Sequence, residues 1–416
     1  MRRSMKDSHI DWIGAIPEDW STIPFRRVFE ITKRLAGKTG LDVLSVTQQG
    51  IKIKDLSSNE GQMAQDYSNY QLVFPTDFVM NHMDLLTGYV DISSYTGVTS
   101  PDYRVFRARK PQEISLEYFL HIFQLCYKCK IFYHLGQGVS GLGRWRLPAK
   151  QMLLFELPLP PLNEQQAIAD FLDKKCGEID EMVSLQEKIV EELKAYKQSV
   201  ITEAVCKGLN PDVPMKDSGI EWIGEIPEGW DCCQLKYKIQ LINGRAYADN
   251  EFLESGKYRV LRVGNLFTNG KWYYSDMELE PEKYCEKGDL LYAWSASFGP
   301  HIWNEEKVIY HYHIWKTNLN GIEKKFAFYM LAALTFFKRS DAHGTAMVHI
   351  TMENMNKSYI PLPPQEEQQA IADYLDTKCA EIDTLISVRQ SKIDALKEYK
   401  KSIIYEYITG KKEIPA

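Results

Sequence analysis

The pattern of apolar and polar positions divides the 416-residue chain into two kinds of segment. Two stretches, which begin after Pro161 and Pro364, carry apolar residues in alternating steps of four and three over about five heptads. A period of 3.5 residues is typical of coiled-coil helices. The Pro-Pro pair before each stretch fits a helix start, because proline is tolerated in the first turn but not in the interior. We therefore predict two long helices.

The two predicted helices are so similar in sequence that burying one apolar stripe against the other is the economical arrangement. Ordinary amphipathic helices, each packed on its own domain, are the alternative. The residues that we expect at the helix pairing are Ile168, Leu172, Ile179, Leu193, Ile371, Leu375, Ile382 and Leu396.

The other segments alternate apolar and polar residues, as half-buried strands do, and contain glycine-rich turn signals. We predict strands at 103–107, 258–263, 290–294 and 308–315, and single helices at 115–133 and 324–337. This mixture indicates α+β domains of about 130 residues each.

Two blocks recur in the chain. Residues 5–20 return at 215–230, with two tryptophans eight positions apart in both copies. Residues 159–180 return at 362–383, with 17 of 22 positions identical. Such self-similarity indicates a duplicated frame.

The two inserts between the repeated blocks, 21–158 and 231–361, show little identity with each other. A faint correspondence survives where Phe74–Met80 takes the place of Glu286–Tyr292. We predict that both inserts have one fold with different surface residues. The predicted regions are 1–158 and 209–361 for the two globular domains, and 159–208 and 362–416 for the two helical spacers.

Taken over the whole chain, the net charge of -6 argues against an acidic partner such as nucleic acid. Divided along the repeats, however, the charge is +4 on residues 21–158 and +1 on 231–361, which leaves -11 on the frame. A whole-chain total conceals this asymmetry between mildly basic inserts and an acidic frame.

The repeated motifs resemble those of one known family. The Trp-Ile-Gly-x-Ile-Pro-Glu-x-Trp block, the Pro-Leu-Pro-Pro-x-x-Glu-Gln-Gln-Ala-Ile-Ala-Asp block and the Leu-Lys-x-Tyr-Lys-x-Ser continuation are similar to the specificity subunit of type I restriction-modification enzymes. The resemblance covers essentially the whole chain. It implies two pseudo-repeated α+β target-recognition domains, joined by two long helices that form an antiparallel coiled coil.

The resemblance further implies a subunit that reads double-stranded DNA at a bipartite, asymmetric target with an unread gap. Two methyltransferase subunits with S-adenosylmethionine, and motor-nuclease subunits with ATP and Mg, would be its partners. The chain itself would be non-catalytic and hold no cofactor. About 40 helical residues span ~60 Å, so lengthening both helices by about one turn should lengthen the gap.

Candidate DNA contacts lie in the inserts, because arginine can grip guanine or phosphate and glycines let the backbone approach phosphates. For each of these residues, packing or an ordinary surface position is the alternative. In the first insert they are Arg104, Arg107, Gly141, Arg144, Trp145, Arg146 and Lys150. In the second insert they are Trp294, Ser295, Ser297, His311, His313, His343 and His349. The tryptophans Trp12, Trp20, Trp222 and Trp230 are better explained as structural anchors.

Other function classes have weaker support. The chain lacks an Asn-Pro-Pro-Tyr type methylation motif, a phosphate-binding Gly-x-x-x-x-Gly-Lys and a dinucleotide fingerprint. Cys126 and Cys129 have zinc-like spacing but no second cysteine pair nearby, which favours packed thiols. A two-headed protein-binding scaffold and an autonomous DNA-modifying enzyme remain the alternatives. No secretory signal or membrane span is readable, so we expect a cytoplasmic protein.

Overall fold

The computed structural model of the protein describes residues 3–55, 67–138, 145–268, 270–295, 297–340 and 350–415. The chain forms two compact units. The first consists of Met1–Gln186 with Ser391–Ala416, and the second of Glu187–Gln390.

The first unit begins with short strands and helices that precede a long helix. In chain order these elements are β1 (Met5–Asp7), β2 (Ala15–Pro17), β3 (Ser21–Pro24), α1 (Phe25–Val28), β4 (Phe29–Thr32), β5 (Leu44–Thr47), β6 (Gly50–Ile53), β7 (Gln71–Val73), β8 (Phe78–Met80), β9 (Val90–Ile92), β10 (Gly97–Thr99), β11 (Arg104–Ala108), α2 (Leu116–Lys128), α3 (Ile131–His134), α4 (Ala149–Leu154), β12 (Glu156–Leu159) and α5 (Leu162–Lys207).

The rest of the chain follows a similar order, and residues 391–408 of its last helix belong to the first unit. Its elements are β13 (Met215–Asp217), β14 (Glu225–Pro227), β15 (Asp231–Gln234), β16 (Ile239–Asn243), β17 (Tyr258–Leu261), α6 (Val263–Phe267), β18 (Tyr273–Ser275), β19 (Tyr284–Cys285), β20 (Leu290–Ala293), β21 (Gly299–Ile302), β22 (Val308–Tyr310), β23 (Ile314–Leu319), α7 (Lys324–Ser340), α8 (Met352–Lys357), β24 (Tyr359–Leu362) and α9 (Gln365–Ile408).

Each unit is built on an antiparallel sheet of four strands. The strand order is β4-β11-β8-β9 in the first unit and β16-β23-β20-β21 in the second. The second unit also contains a smaller sheet with the strand order β18-β17-β22-β19. In the first unit the hairpin β5-β6 and the antiparallel pair β7-β10 take its place, joined by a parallel bridge between Val43 and Val98. The predicted α+β class and the shared fold of the inserts are confirmed.

The cores are rich in aromatic side chains. In the first unit Phe29, Phe78, Phe106 and Phe123 are fully buried and lie with ring centroids 4.9 to 5.7 Å apart. Such rings bury roughly 150–250 Å² each and dominate core energetics. They pack the helix α2 against the main sheet.

The faint correspondence of Phe74–Met80 with Glu286–Tyr292 is confirmed by an identical turn. A carboxylate oxygen of Asp77 accepts a hydrogen bond from the Phe74 N–H at 2.8 Å. Asp289 accepts in the same way from the Glu286 N–H at 2.8 Å. An aspartate that bonds the backbone N–H three residues earlier fixes the turn before the strand, which explains its presence in both inserts.

The repeated blocks dock onto each other in both units. The indole N–H of Trp20 donates to Glu164 at 2.9 Å, and that of Trp230 donates to Glu367 at 3.0 Å. Both tryptophans are 1% exposed. A buried indole needs a partner for its N–H, so the Trp block and the helix block are retained together. The prediction that these tryptophans are structural anchors is confirmed.

The glutamine that follows each of these glutamates ties the insert to the frame. The buried Gln165 accepts from the Ser115 N–H at 3.0 Å and donates to the Pro160 carbonyl at 2.9 Å. Gln368 repeats both bonds, with the Glu323 N–H at 2.7 Å and the Pro363 carbonyl at 2.8 Å. Each glutamine therefore joins the start of α2 or α7 to the turn before the long helix.

Within each unit, parts of the two long helices pack against each other. In the first unit the Phe171 and Tyr407 rings lie 4.5 Å apart and Lys400 binds Asp180 at 2.5 Å. Between these two contacts the residue number increases on α5, from 171 to 180, and decreases on α9, from 407 to 400. The two segments therefore run antiparallel. In the second unit the equivalent pair, Lys197 and Asp383, lies at 2.6 Å.

The buried stripe differs in part from the predicted one. Six of the eight expected pairing residues are buried, whereas Leu193 and Leu396 are half-buried. Beyond Ile179 the stripe on α5 continues through Val183, Gln186 and Val190. Met182, which also fits the steps of four and three along α5, is 41% exposed. The repeat stays in register only if a glutamine occupies a buried position, which an apolar pattern does not show.

Two predicted elements end earlier than expected. The strand predicted at 308–315 is two strands in two different sheets, separated by a turn at 311–313. The helix predicted at 115–133 stops at Lys128, because Lys130 adopts a left-handed backbone with φ of 57°. Among the described residues, no helix is long and apolar enough to cross a membrane.

Candidate nucleic-acid interface

In the second unit two parallel strands end side by side at the surface. Val260 and Leu261 of β17 pair with Ile309 and Tyr310 of β22. Arg262 and His311 follow directly, so the chain order alone places an exposed guanidinium next to an imidazole. The His311 N–H donates to the Leu261 carbonyl at 2.9 Å, which fixes this neighbourhood.

Gly244 brings a third segment against these strand ends. The Arg245 N–H donates to the Tyr310 carbonyl at 3.0 Å. A Cβ on Gly244 would lie 2.3 Å from the carbonyl oxygen of Tyr310 and 2.5 Å from that of His311. Since no side chain tolerates such distances to backbone atoms, glycine is required here for a close approach of two chain segments.

The ends of β17 and β22, with Arg262 and His311, border a cleft of about 370 Å³. Its polar lining residues are Arg262, Asn265, Lys271, Tyr273, Ser295, His311 and His313. The structure thus brings together three of the predicted residues, Ser295, His311 and His313. Arg262, Lys271 and Tyr273 were not among the predicted contacts. A charged residue near the end of a predicted strand was the signal available for Arg262.

Aromatic rings hold the cations of this cleft in place. The Arg262 guanidinium carbon lies 5.3 Å from the Tyr273 ring centroid and 5.5 Å from that of Phe252. The Lys271 ammonium lies 5.2 Å from the same Tyr273 ring. Both distances are within the range of cation–π attraction. The cleft therefore presents two positioned positive charges beside neutral hydrogen-bonding groups.

His311 acts as a neutral group at physiological pH. Burial lowers the pKa of His311 to about 4, with His313 and Arg262 adding to the effect. A neutral imidazole offers one donor and one acceptor, so it can hydrogen-bond a base edge without a formal charge. His311 and His313 lie with ring centroids 4.7 Å apart.

Four other residues were predicted in the second insert, and the structure describes two of them, Trp294 and Ser297. The indole of Trp294 donates to the Tyr312 carbonyl at 2.8 Å and stacks on Trp315 at 5.9 Å. Ser297 is half-buried. The predicted His343 and His349 lie outside the described residues.

In the first unit Arg104 occupies the interior instead of the predicted contact surface. The side chain is 8% exposed, and both terminal nitrogens donate to the Leu147 carbonyl at 3.2 Å. Burial lowers the pKa of Arg104 to about 10. As a strand residue opposite Met80, Arg104 takes the place that Trp315 has opposite Tyr292. This guanidinium therefore joins two parts of the core.

The remaining predicted residues of the first insert lie in different environments. Arg107 is exposed and forms an ion pair with Glu30 at 2.6 Å. Trp145 packs over Gly136 and donates to the Tyr133 carbonyl at 2.7 Å. Arg146 and Lys150 are exposed. Arg146 also exchanges two backbone hydrogen bonds with Gln137, at 2.8 and 3.0 Å. The predicted Gly141 and Arg144 lie outside the described residues.

The first unit has its own cleft, of about 410 Å³, which the sequence reasoning did not predict. Its polar lining residues are Ser45, Lys54, Tyr67, Tyr70, Asn81, Asp84, Ser100, Asp102 and Tyr103. Tyrosine hydroxyls, serine hydroxyls and an amide dominate this set. They can hydrogen-bond base edges, and the rings offer stacking surfaces.

The two clefts occupy equivalent places in the fold. Val43 and Val98 form a parallel bridge in the first unit, as Val260 and Ile309 do in the second. Two residues further along each strand, the first unit has Ser45 and Ser100, whereas the second has Arg262 and His311. The same backbone site therefore carries hydroxyls in one unit and cationic or imidazole groups in the other.

The cysteines show packing roles in the described structure. Cys126 is fully buried in α2, where burial raises the pKa of its thiol well above the ordinary value. Cys129 caps the same helix and is exposed. Within the ranges that the structure describes, no group of three His, Cys, Asp or Glu residues could hold a metal ion.

Comparison with known proteins gives consistent matches. The family model described as type I restriction modification DNA specificity domain matches residues 17–198 and 227–409. A putative type I restriction enzyme MjaX specificity subunit from Methanocaldococcus jannaschii is 24% identical, over 96% of this chain and 95% of that protein. The type I restriction enzyme MjaVIII specificity subunit of the same organism is 28% identical, over 67% of each chain.

A solved structure shares the fold. It comes from work described as the structural basis underlying complex assembly and conformational transition of the type I R-M system. The match has a TM-score of 0.70 and covers 94% of this chain and 98% of that chain. At 16% identity it supports the architecture alone.

Proposed function

The chain belongs to the type I restriction modification DNA specificity domain family, and from that premise we propose how it reads its target. Each unit reads one half of a bipartite target in double-stranded DNA through the cleft at its strand ends. The observation that carries this proposal is the equivalent position of two clefts with different polar linings. Different donor and acceptor sets select different base pairs, so the two half-sites differ in sequence.

The charges favour DNA on the inserts and protein on the frame. Residues 21–158 and 231–361 carry +4 and +1, whereas the rest of the chain carries -11. Phosphate repels an acidic surface, which leaves the frame for protein contacts. Two methyltransferase subunits, with S-adenosylmethionine, and motor-nuclease subunits, with ATP and Mg, are the partners in this proposal. The chain supplies recognition and no catalytic group.

The long helices set the spacing between the half-sites in this proposal. Support comes from their lengths of 46 and 44 residues and from their antiparallel packing within each unit. Lengthening both helices by about one turn should lengthen the unread gap of the target. An unchanged gap in such a variant would contradict the role of the helices as spacers.

Methylation mapping of host DNA, with and without this gene, tests the proposal directly. We expect a split motif whose two halves differ. Replacing residues 21–158 with the insert of another family member should change one half-site and leave the other intact. A change in both halves would contradict independent reading by the two units.

Binding measurements separate a DNA reader from a protein-binding scaffold. With methyltransferase subunits present, affinity for random-sequence DNA should fall steeply with salt and select a motif on enrichment. If the affinity for DNA does not change with salt and no sequence motif is enriched, the result would favour the protein-binding scaffold. Methylation by the isolated chain would favour an autonomous enzyme.

A further inference from the structure

We infer that Arg262 specifies a guanine in the half-site that the second unit reads. The inference rests on the proposed function and deepens it, because it names one residue and the base that this residue selects.

Packing, not ion pairing, positions the Arg262 side chain. The guanidinium lies against Phe252 and Tyr273, at 5.5 and 5.3 Å from their ring centroids. Its backbone is fixed as well, since the Arg262 N–H donates to the Asn265 side chain at 3.0 Å. The two rings also contact each other, with centroids 5.1 Å apart, so the guanidinium packs against both of them. A planar fork packed in this way loses little further freedom when it binds a flat partner.

The hydrogen-bonding groups of Arg262 are available. Across the described ranges of the chain, no carboxylate or carbonyl accepts a hydrogen bond from its side-chain nitrogens. The residue is exposed and lines the cleft beside His311. A positioned guanidinium with free donors at the mouth of a cleft is ready to donate to an external acceptor.

Two nearby arginines show the opposite arrangement. Arg245, in the segment that Gly244 brings against β22, binds both oxygens of Glu251, at 2.7 and 2.9 Å. Arg259, three residues before Arg262 on the same chain segment, binds Glu305 at 2.8 Å. The fold neutralises both of these cations with carboxylates. The contrast singles out Arg262 as the arginine of this region kept for a ligand.

The geometry favours a base over a phosphate. A bidentate contact from arginine to O6 and N7 of guanine is the commonest specific pairing in the major groove. It needs a fixed planar fork, which the two rings provide. Phosphate binding needs only charge, and Lys271 supplies this 5.2 Å from the same Tyr273 ring. We therefore assign base reading to Arg262 and phosphate attraction to Lys271.

Three variants of the full chain, assembled with its methyltransferase partners, test the assignment. Arg262→Ala removes the fork, and Arg262→Lys keeps the charge without the fork. Arg259→Gln removes an equal charge nearby and is the matched control. The measurements are methylation mapping of host DNA and binding to duplexes that vary one base pair of the second unit's half-site. Thermal unfolding of each variant checks its folding.

The wild-type complex should require guanine at one position of that half-site. In Arg262→Ala and Arg262→Lys, discrimination at this position should fall by about 10- to 100-fold while every other position keeps its preference. Arg259→Gln should retain the wild-type motif. The half-site read by the first unit should not change in any variant.

Several results would overturn the assignment. One is a half-site of the second unit in which no position requires guanine. Another is uniform weakening in Arg262→Ala, rescued by Arg262→Lys and without relaxed specificity, which would identify a phosphate contact. A wild-type complex that methylates no defined motif would instead reject the proposed function itself, so the two failures are distinguishable.

Discussion

The frame and the clefts of this chain have diverged to very different extents. Glu164 and Glu367 accept the same indole bond in the two units, and Gln165 and Gln368 make the same pair of buried bonds. At the equivalent strand ends, by contrast, Ser45 and Ser100 of one unit correspond to Arg262 and His311 of the other. Contacts that hold the fold are repeated, whereas the groups that line the clefts differ. The two units therefore share one scaffold and differ in the polar groups that each cleft offers.

The largest expected effect is on the close backbone approach that supports the strand ends of the second cleft. Gly244→Val places a side chain where even a Cβ would lie 2.3 Å from the Tyr310 carbonyl oxygen. We expect a loss of about 3 kcal/mol or more in the free energy of unfolding. Urea denaturation measures it, and methylation mapping should show loss of one half-site's reading. Gly229→Ala, with no atom within 4 Å of its Cβ, is the control.

The frame glutamines should give equal effects in the two units. Gln165→Leu and Gln368→Leu each leave a backbone N–H and a carbonyl without their partner. Each should lower the free energy of unfolding by about 2 to 4 kcal/mol. The exposed Gln166→Leu should cost less than about 0.5 kcal/mol. Urea denaturation measures both free energies. Clearly unequal losses in the free energy of unfolding would show that the frames of the two units are not equivalent.

The amino-acid pattern predicts the frame better than the clefts, for a physical reason. Helix periodicity and the repeated Trp and Glu-Gln-Gln motifs are local in sequence, so they can be recognised directly. The second cleft joins Arg262 to His311 through a parallel strand pair separated by almost 50 residues. Strand periodicity does not reveal which strands pair. For the same reason the alternating residues 308–315 concealed a change of sheet at 311–313.

A chemical type can also mislead when its position is not known. Arg104 and Arg107 lie on one strand and were both predicted as DNA contacts. Only Arg107 is exposed. Arg104 is buried because its strand position faces α4 and the Leu147 carbonyl. Sequence alone gives no measure of which arginine can satisfy its donors inside a domain.

Acid should weaken both units through one histidine each, the half-buried His82 and the buried His311. Burial lowers the pKa of His82 to about 4, as it does that of His311. Because the unfolded chain binds these protons near pH 6.5, the stabilisation is complete above that pH. It is lost as the pH falls from 6.5 to 4.

Substitution of either histidine should flatten this dependence. His82→Gln and His311→Gln should each reduce the loss of stability between pH 7 and 4.5 by about 1 kcal/mol, after allowance for partial solvent access. Urea denaturation at the two pH values measures the difference. His9→Gln, at an exposed position, is the control. An effect in one unit alone would show that the two histidines do not have similar surroundings.

The smallest expected effect concerns charge at the two clefts. Lys271 lines the second cleft, where the described lining residues include no carboxylate, whereas Lys54 shares the first cleft with Asp84 and Asp102. Lys271→Gln should therefore reduce the slope of log affinity against log salt by about 0.9, as expected for one lost phosphate contact. Lys54→Gln should change the slope less, because the nearby carboxylates repel phosphate from that cleft. If both variants had the same slope of log affinity against log salt, the two clefts would not differ in their phosphate contacts. Their different polar linings would then act on base selection alone.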